Sequence, residues 1–247
     1  MKKISLLICA FCFFSLVALA TAPAKDAILV FSKTKGFRHK SIEAGKVALM
    51  KLGAENRFRV DTTEDASAFT PANLKKYKTV VFLSTTGDVL NPEQQTAFEG
   101  YIHNGGGYLG IHAAADTEYD WPWYNKLVGA YFLHHPKQQN VDIDVWDKTH
   151  PATSFLPNRW RRFDELYSYK SIQPGIIVLA TLDEASYEGG RNGRMHPFIW
   201  YHEFEGGRAF YTGGGHTDES YQEPLFMKHV LEALKWTTKR TNVPSAL

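Results

Sequence analysis

The chain has 247 residues, with 28 Lys and Arg against 26 Asp and Glu, 44% hydrophobic and 22% charged residues, and two cysteines. That length and hydrophobicity suit a substantial buried core and exclude a disordered composition, and the 19 Gly and 11 Pro follow no repeat. Nucleic-acid binding needs a concentrated basic face, so the near-neutral balance argues against a nucleic-acid partner.

Lys2 and Lys3 precede an apolar run from Ile4 to Ala20 that closes on Ala18-Leu19-Ala20. Basic, apolar and small-residue regions in that order are what an export signal requires. Residues 1–20 are therefore expected to be a cleaved signal peptide, 21–247 one domain, and the protein periplasmic or secreted. An uncleaved anchor is the rival reading, but Ser5 and Ser15 interrupt the run, which is marginal for about 20 residues of hydrocarbon. Cleavage removes both cysteines, Cys9 and Cys12, and takes Lys and Arg from 28 to 26, level with the 26 Asp and Glu. A thiol-free mature chain has no disulfide, no cysteine zinc site and no cysteine nucleophile. Neither cysteine lies in a lipoprotein pattern, and no later apolar stretch approaches a membrane span, so no membrane contact is expected after cleavage.

Ala27 to Ser32 is a continuous apolar run, as in a strand covered on both faces of a parallel sheet. A polar turn, Lys33 to Lys40, leads to Ser41, placed to cap a helix with an apolar stripe of Ile42, Ala48, Leu49 and Leu52. Phe58 to Val60 reads as a short strand, Thr70-Pro71 as a helix start, and Thr79 to Ser84 as another buried strand. Asn91-Pro92-Glu93-Gln94 opens a reciprocally capped helix that stops at Gly105, and Tyr108 to Ile111 is the next strand. Strand, helix and strand in about 30 residues make a right-handed crossover, so the fold class is α/β, a mostly parallel sheet with helices on both faces.

From Thr117 to Lys170 the pattern is irregular, apart from the alternating Val141 to Val145, and reads as an insertion carrying site residues. Ile176 to Ala180 is a strand. Phe198 to Phe204 and Arg208 to Thr212 form a hairpin about Glu205-Gly206-Gly207, and a last helix begins near Pro224.

Ligands of open α/β sheets bind beyond the carboxyl ends of the strands. Arg38-His39, Gly87-Asp88, His112 with Asp116, and His216 follow the predicted strands there, so three histidines from distant segments should face one crevice. Gly105 to Ala114 has the form of a nucleophile elbow, a strand turning sharply with small residues around it. His112 stands at the turn, with no serine beside it and no thiol in the mature chain, which excludes a serine hydrolase and a thiol amidotransferase at that place. A Rossmann nucleotide site is not expected, because the glycine-rich run enters a strand instead of opening a helix.

The motifs KGFRH at 35–39, GGGYLGIHAAADT at 105–117, WPWY at 121–124, HHP at 134–136, HP at 150–151, DELY at 164–167 and GRAFYTGGGH at 207–216 occur in an order that resembles ThuA-like (trehalose-utilisation) proteins. The resemblance covers nearly all of the mature chain. It implies a class I glutamine amidotransferase-like fold without the amidotransferase nucleophile, and a role with trehalose or related, often 3-keto, sugars. It carries the family pattern onto Arg38, His39, His112, Asp116, Tyr124, His135, Glu165 and His216.

Each nominee has a plainer rival. Arg38 and His39 also suit a solvated loop, and His112 a buried imidazole donating to a backbone carbonyl. His135 and His150 precede prolines and fit simple bends. Asp164 and Glu165 suit a cap or ion pairs with Arg161 or Arg162. Neighbours on a strand face opposite ways, so only one of those two carboxylates, Glu165, is expected in the site. Trp121, Trp123, Tyr124, Tyr167 and Trp200 are core residues by default, although one or two could offer a sugar an apolar face.

The expected catalytic set is His39, His112, Glu165 and His216. Arg38, Asp116, Trp121, Tyr124, His135 and Tyr167 are expected to bind a small carbohydrate. The leading chemistry is proton transfer beside a keto group, with no cofactor required. Two alternatives stand: a non-catalytic sugar-binding module, and a hydrolase holding a divalent metal on His39, His112 and His216 with Glu165 as base. The sequence sets no oligomeric state.

Overall fold

A computed structural model of the chain describes residues 26–243, so the expected signal segment lies outside the described residues. The strands are β1 (Asp26–Phe31), β2 (Phe58–Thr63), β3 (Thr79–Leu83), β4 (Gly107–Ile111), β5 (Tyr131–His134), β6 (Gln139–Val145), β7 (Arg159–Asp164), β8 (Ser168–Lys170), β9 (Ile177–Leu182), β10 (His196–Phe204) and β11 (Gly207–Thr212). The helices are α1 (Ile42–Glu55), α2 (Pro71–Leu74), α3 (Pro92–His103), α4 (Pro122–Val128) and α5 (Pro224–Thr237).

Nine strands form one sheet in the order β2-β1-β3-β4-β11-β10-β9-β6-β7. Its first five strands are mutually parallel. Every pairing from β11 onward is antiparallel. The apolar runs of β1, β3 and β4 occupy the middle of the parallel half, where both faces are covered, and β3 and β4 are buried throughout. On one face Leu49 and Leu52 of α1 and Val230 and Leu234 of α5 join the core. On the other, Leu74 of α2, Phe98 of α3 and Tyr124 of α4 join a second cluster around Phe31 and Phe82. The sheet is thus mostly parallel at one end with helices on both faces, as expected.

Local signals account for several boundaries. Thr70 accepts from the Asn73 amide, and Asn91 and Gln94 make the reciprocal capping box. Ser41 departs from expectation: it caps nothing, and its hydroxyl donates to the Gly215 carbonyl at 3.1 Å, tying the start of α1 to the corner after β11. The 117–170 segment is likewise no simple insertion. Only β5 and β8 form a separate ribbon, while β6 and β7 extend the main sheet.

Candidate functional site

The site forms where the parallel half meets the antiparallel half, at the carboxyl ends of β4 and β11. His112 follows β4 directly and adopts φ +51°, a left-handed conformation uncommon outside glycine and asparagine, which turns the chain sharply and aims the imidazole across the sheet end. His216 follows β11 through Gly213-Gly214-Gly215. Side chains there would collide, because a Cβ at 214 would lie 2.3 Å from Arg162 Nη1, and Gly215 sits at φ +113°. The glycine run is a packing requirement. His39 arrives from the loop after β1, and Glu165 follows β7.

These four side chains meet. One ligand-capable atom from each of His39, His112, Glu165 and His216 lies within 4.8 Å of the others. The ring centroids of the three histidines are 4.8, 5.0 and 5.1 Å apart. His112 Nδ1 donates to the Gly213 carbonyl at 3.1 Å, and its Nε2 lies 3.1 Å from His216 Nδ1. Glu165 Oε2 lies 3.0 Å from His216 Nδ1 and 3.4 Å from His112 Nε2, while Oε1 lies 3.2 Å from His135 Nδ1. On the outer side the Gln138 amide nitrogen lies 2.7 Å from His216 Nε2. His39 Nδ1 is buried and has no hydrogen-bond partner among the described residues.

Electrostatics place two of the donors, His39 and Glu165, in the forms a metal would need. Burial, reinforced by the neighbouring His112 and His216, pushes the His39 imidazole down to about 3, so it is neutral. Burial alone would raise Glu165, but its bonds to His112 and His216 outweigh that and hold the carboxyl well below its usual range. Three imidazoles and one carboxylate at this spacing form a donor set for a divalent transition metal.

A second ring of groups borders the cluster. Tyr167 packs against His112 with centroids 4.4 Å apart and leaves its hydroxyl without a hydrogen bond among the described residues. Burial raises the Asp116 carboxyl, against the lowering effect of the Tyr119 hydroxyl, which donates to it at 2.6 Å.

Comparison with known proteins agrees with this architecture. The model of the family described as ThuA, trehalose utilisation, matches residues 27–237. The chain belongs to the ThuA family. A ThuA-like protein from Bacteroides uniformis is 26% identical, with a TM-score of 0.76 over 88% of this chain and 93% of that one. A ThuA-like protein from Parabacteroides merdae is 22% identical, with a TM-score of 0.74 over 90% and 93% of the two chains. PurLQS from Thermotoga maritima is similar in fold alone, at 14% identity and a TM-score of 0.54 over 86% and 99% of the chains. The fold is glutamine amidotransferase-like. None of the curated proteins compared with the chain matches it.

In this ThuA-family chain three of the nominated binding residues stand outside the cluster. The Arg38 guanidinium is bound to Glu64 at 2.9 Å and Glu43 at 2.7 Å on the surface, because His39 takes the inward direction and its neighbour must take the outward one. Tyr124 is fully buried, its hydroxyl donating to the Ala114 carbonyl and accepting from Tyr108, both at 2.8 Å. Trp121 donates to Glu99 and stacks on Trp123. Trp200 is core as well, bonded to the Val128 carbonyl. Of the five aromatics considered, Tyr167 is the one packed on a site histidine.

Asp164 forms the expected ion pair with Arg162, at 3.4 Å, but its role at the His216 corner escaped the sequence reading, as did Gln138 altogether. Asp164, fully buried, accepts from the backbone amides of Gly215 and His216, each at 3.0 Å, and so fixes the corner that presents His216. Its neighbour Glu165 faces the cluster, in keeping with the alternation of strand side chains. Gln138, in the turn before β6, bears on His216; a glutamine in a loop carries no sequence signal of that role.

Proposed function

We propose that this ThuA-family protein is an exported enzyme of trehalose or related keto-sugar utilisation, whose active centre is a divalent cation held by His39, His112, His216 and Glu165. One observation carries the reading: four donors from four distant segments share a space 4.8 Å across. The buried, unpartnered His39 Nδ1 supports it, since a polar atom left bare in the interior costs about 1 to 3 kcal/mol unless something meets it. So does the backbone bond at His112 Nδ1, the usual means by which a protein fixes the tautomer of a ligating histidine. Turning the Gln138 amide so that its oxygen accepts from His216 Nε2 would move the His216 proton outward and free Nδ1 for the cation.

A cation there would polarise a sugar carbonyl or hydroxyl as a Lewis acid. The chain's own groups supply the rest. Asp116, raised by burial, holds or yields a proton. His135, 43% exposed beside Glu165, stands at the mouth of the cluster within reach of a sugar hydroxyl. The free Tyr167 hydroxyl meets a sugar hydroxyl. Arg38 is committed to Glu43 and Glu64 and takes no part.

A second reading, metal-free proton transfer, is favoured by the polar network as it stands: Gln138 donates to His216 Nε2, and the His216 Nδ1 proton lies between Glu165 and His112. Product analysis by mass spectrometry separates the readings. The mature protein is incubated with trehalose and 3-keto-trehalose, with and without a chelator. Turnover that disappears with chelator and returns with added Zn²⁺ or Mn²⁺ supports the cation. Turnover untouched by thorough chelation transfers the assignment to acid-base chemistry, and sugar binding without turnover makes the protein a binding module. Export rests on the Lys2 to Ala20 segment, and an intact mass that begins close to Thr21 is expected.

A further inference from the structure

Phe37 is 67% exposed, yet it lies two residues before His39, which is 3% exposed, and their ring centroids are 4.9 Å apart. A lone exposed aromatic is ordinary on a protein surface. What sets this one apart is the rigidity of its support. The Lys35 amide donates to the Thr86 carbonyl at 2.7 Å, and the Thr86 hydroxyl donates to the Phe37 carbonyl at 2.9 Å. Gly87, at φ +72°, lets the two loops approach so closely that a Cβ there would lie 3.0 Å from the Lys35 Cβ. On the other side, Arg38 is fastened to Glu64 and Glu43. An apolar ring held in water by a loop pinned on both flanks is preorganised for something flat and partly apolar.

We propose that Phe37 is the stacking platform for a second sugar ring, which makes a two-ring glycoside, and not a free monosaccharide, the substrate class of this site. His39 stands between the phenyl ring and the other cluster donors, so the ring that rests on Phe37 is not the one whose oxygens meet the four donors but its neighbour across the glycosidic bond. A pyranose presents an apolar C–H face of the kind an aromatic covers, while its hydroxyls stay in solvent at the rim. The inference rests on the carbohydrate reading of the site and is independent of the cation.

The test is titration calorimetry, with ligand-observed NMR, of trehalose and of glucose into the mature protein with and without added Zn²⁺. Wild type is expected to bind trehalose more tightly than glucose. Phe37→Ala should weaken trehalose roughly tenfold and change glucose less than about twofold, and Phe37→Trp should retain trehalose. The ring also packs on His39, so cation uptake is measured on each variant, and a loss of trehalose binding that tracks a loss of cation uptake in Phe37→Ala overturns the platform. Equal trehalose affinity in wild type and Phe37→Ala, or an equal loss for both sugars, overturns the platform. A change of oligomeric state in Phe37→Ala without a change in sugar affinity also overturns it, assigning the ring to a contact between copies. If wild type binds neither sugar, the carbohydrate reading falls and the platform with it. Phe37-dependent trehalose binding by protein that takes up no cation upholds the platform and removes only the cation.

Discussion

His112 at the sheet end, where His216 beside it is partly open to solvent, and His150 and His229 in the core are equally buried imidazoles in two different settings. His112, His150 and His229 are all inaccessible to solvent. In each of these three, one nitrogen is fixed by backbone: His112 Nδ1 by Gly213, and the core pair by a single residue, with the Ala152 amide donating to His150 Nδ1 and His229 Nδ1 donating to the Ala152 carbonyl. The difference lies in the other nitrogen. In the core, Nε2 of both rings has no polar partner among the described residues, and the rings pack on aromatic groups such as Tyr201, Phe210 and Trp236. At the sheet end, Nε2 of His112 faces a second imidazole and a carboxylate. Burial and a backbone anchor are thus common to structural and functional imidazoles, and only the company of the second nitrogen separates them.

The largest expected effect sharpens that contrast at the sheet end. His112→Asn should lower turnover by roughly 10² to 10⁴-fold and abolish cation uptake, while the melting temperature moves little. A variant that melts much earlier yet keeps its specific activity would place His112 with the core pair.

In the core the signs reverse. His150→Ala should cost about 1 to 3 kcal/mol, a fall of several degrees in melting temperature, and leave cation affinity unchanged. The same pair sets a pH dependence. Burial lowers His150 to about 3 and His229 to about 4, against 6.5 for an unburied imidazole. Between pH 6.5 and about 4 the unfolded chain therefore binds protons that the folded pair refuses. Stability is full above 6.5 and falls as the solution is acidified through that window. Urea midpoints measured at pH 7 and pH 5 should show the fall, and the double variant His150→Leu/His229→Leu should flatten it. The residual slope belongs to His39, His196 and His202, which burial lowers too. An unchanged slope in the double variant would mean that the core pair is charged in the folded state.

The smallest effect concerns Gln138. Gln138→Ala should weaken cation binding about tenfold with no change in melting temperature, since an exposed amide that orients a ligand contributes through the ligand alone. No change in affinity would show that His216 needs no outer partner.

Much of this was readable in the sequence where one force dominates. The apolar runs of β1, β3 and β4 could only be covered strands, and the convergence of the three histidines was legible because the carboxyl edge of such a sheet is where side chains meet. β7 was hidden. Its inward positions are Trp160, Arg162 and Asp164, and a charged pair on the inward phase disguises the alternation. Arg162 is tolerated there because it bonds Glu223 at 2.7 Å and lies against Trp160 and Phe226. Arg38, Trp121 and Tyr124 stand outside the cluster for a related reason. Adjacency in sequence placed them near the site, but Glu64, Glu99 and Ala114, the groups that claim their polar atoms, are visible only in three dimensions.

The bonds from Asp164 to the Gly215 and His216 amides have a consequence in time. They join the antiparallel half to the parallel half, and the four cluster residues span most of the described chain, from 39 to 216. Contacts of such long sequence separation close late, after the loops between them have lost their freedom. A fragment cut anywhere between residues 39 and 216 therefore lacks part of the donor set. A chain that had taken up the proposed cation would be one that has finished its sheet, and that cation would then hold the two halves together against local opening.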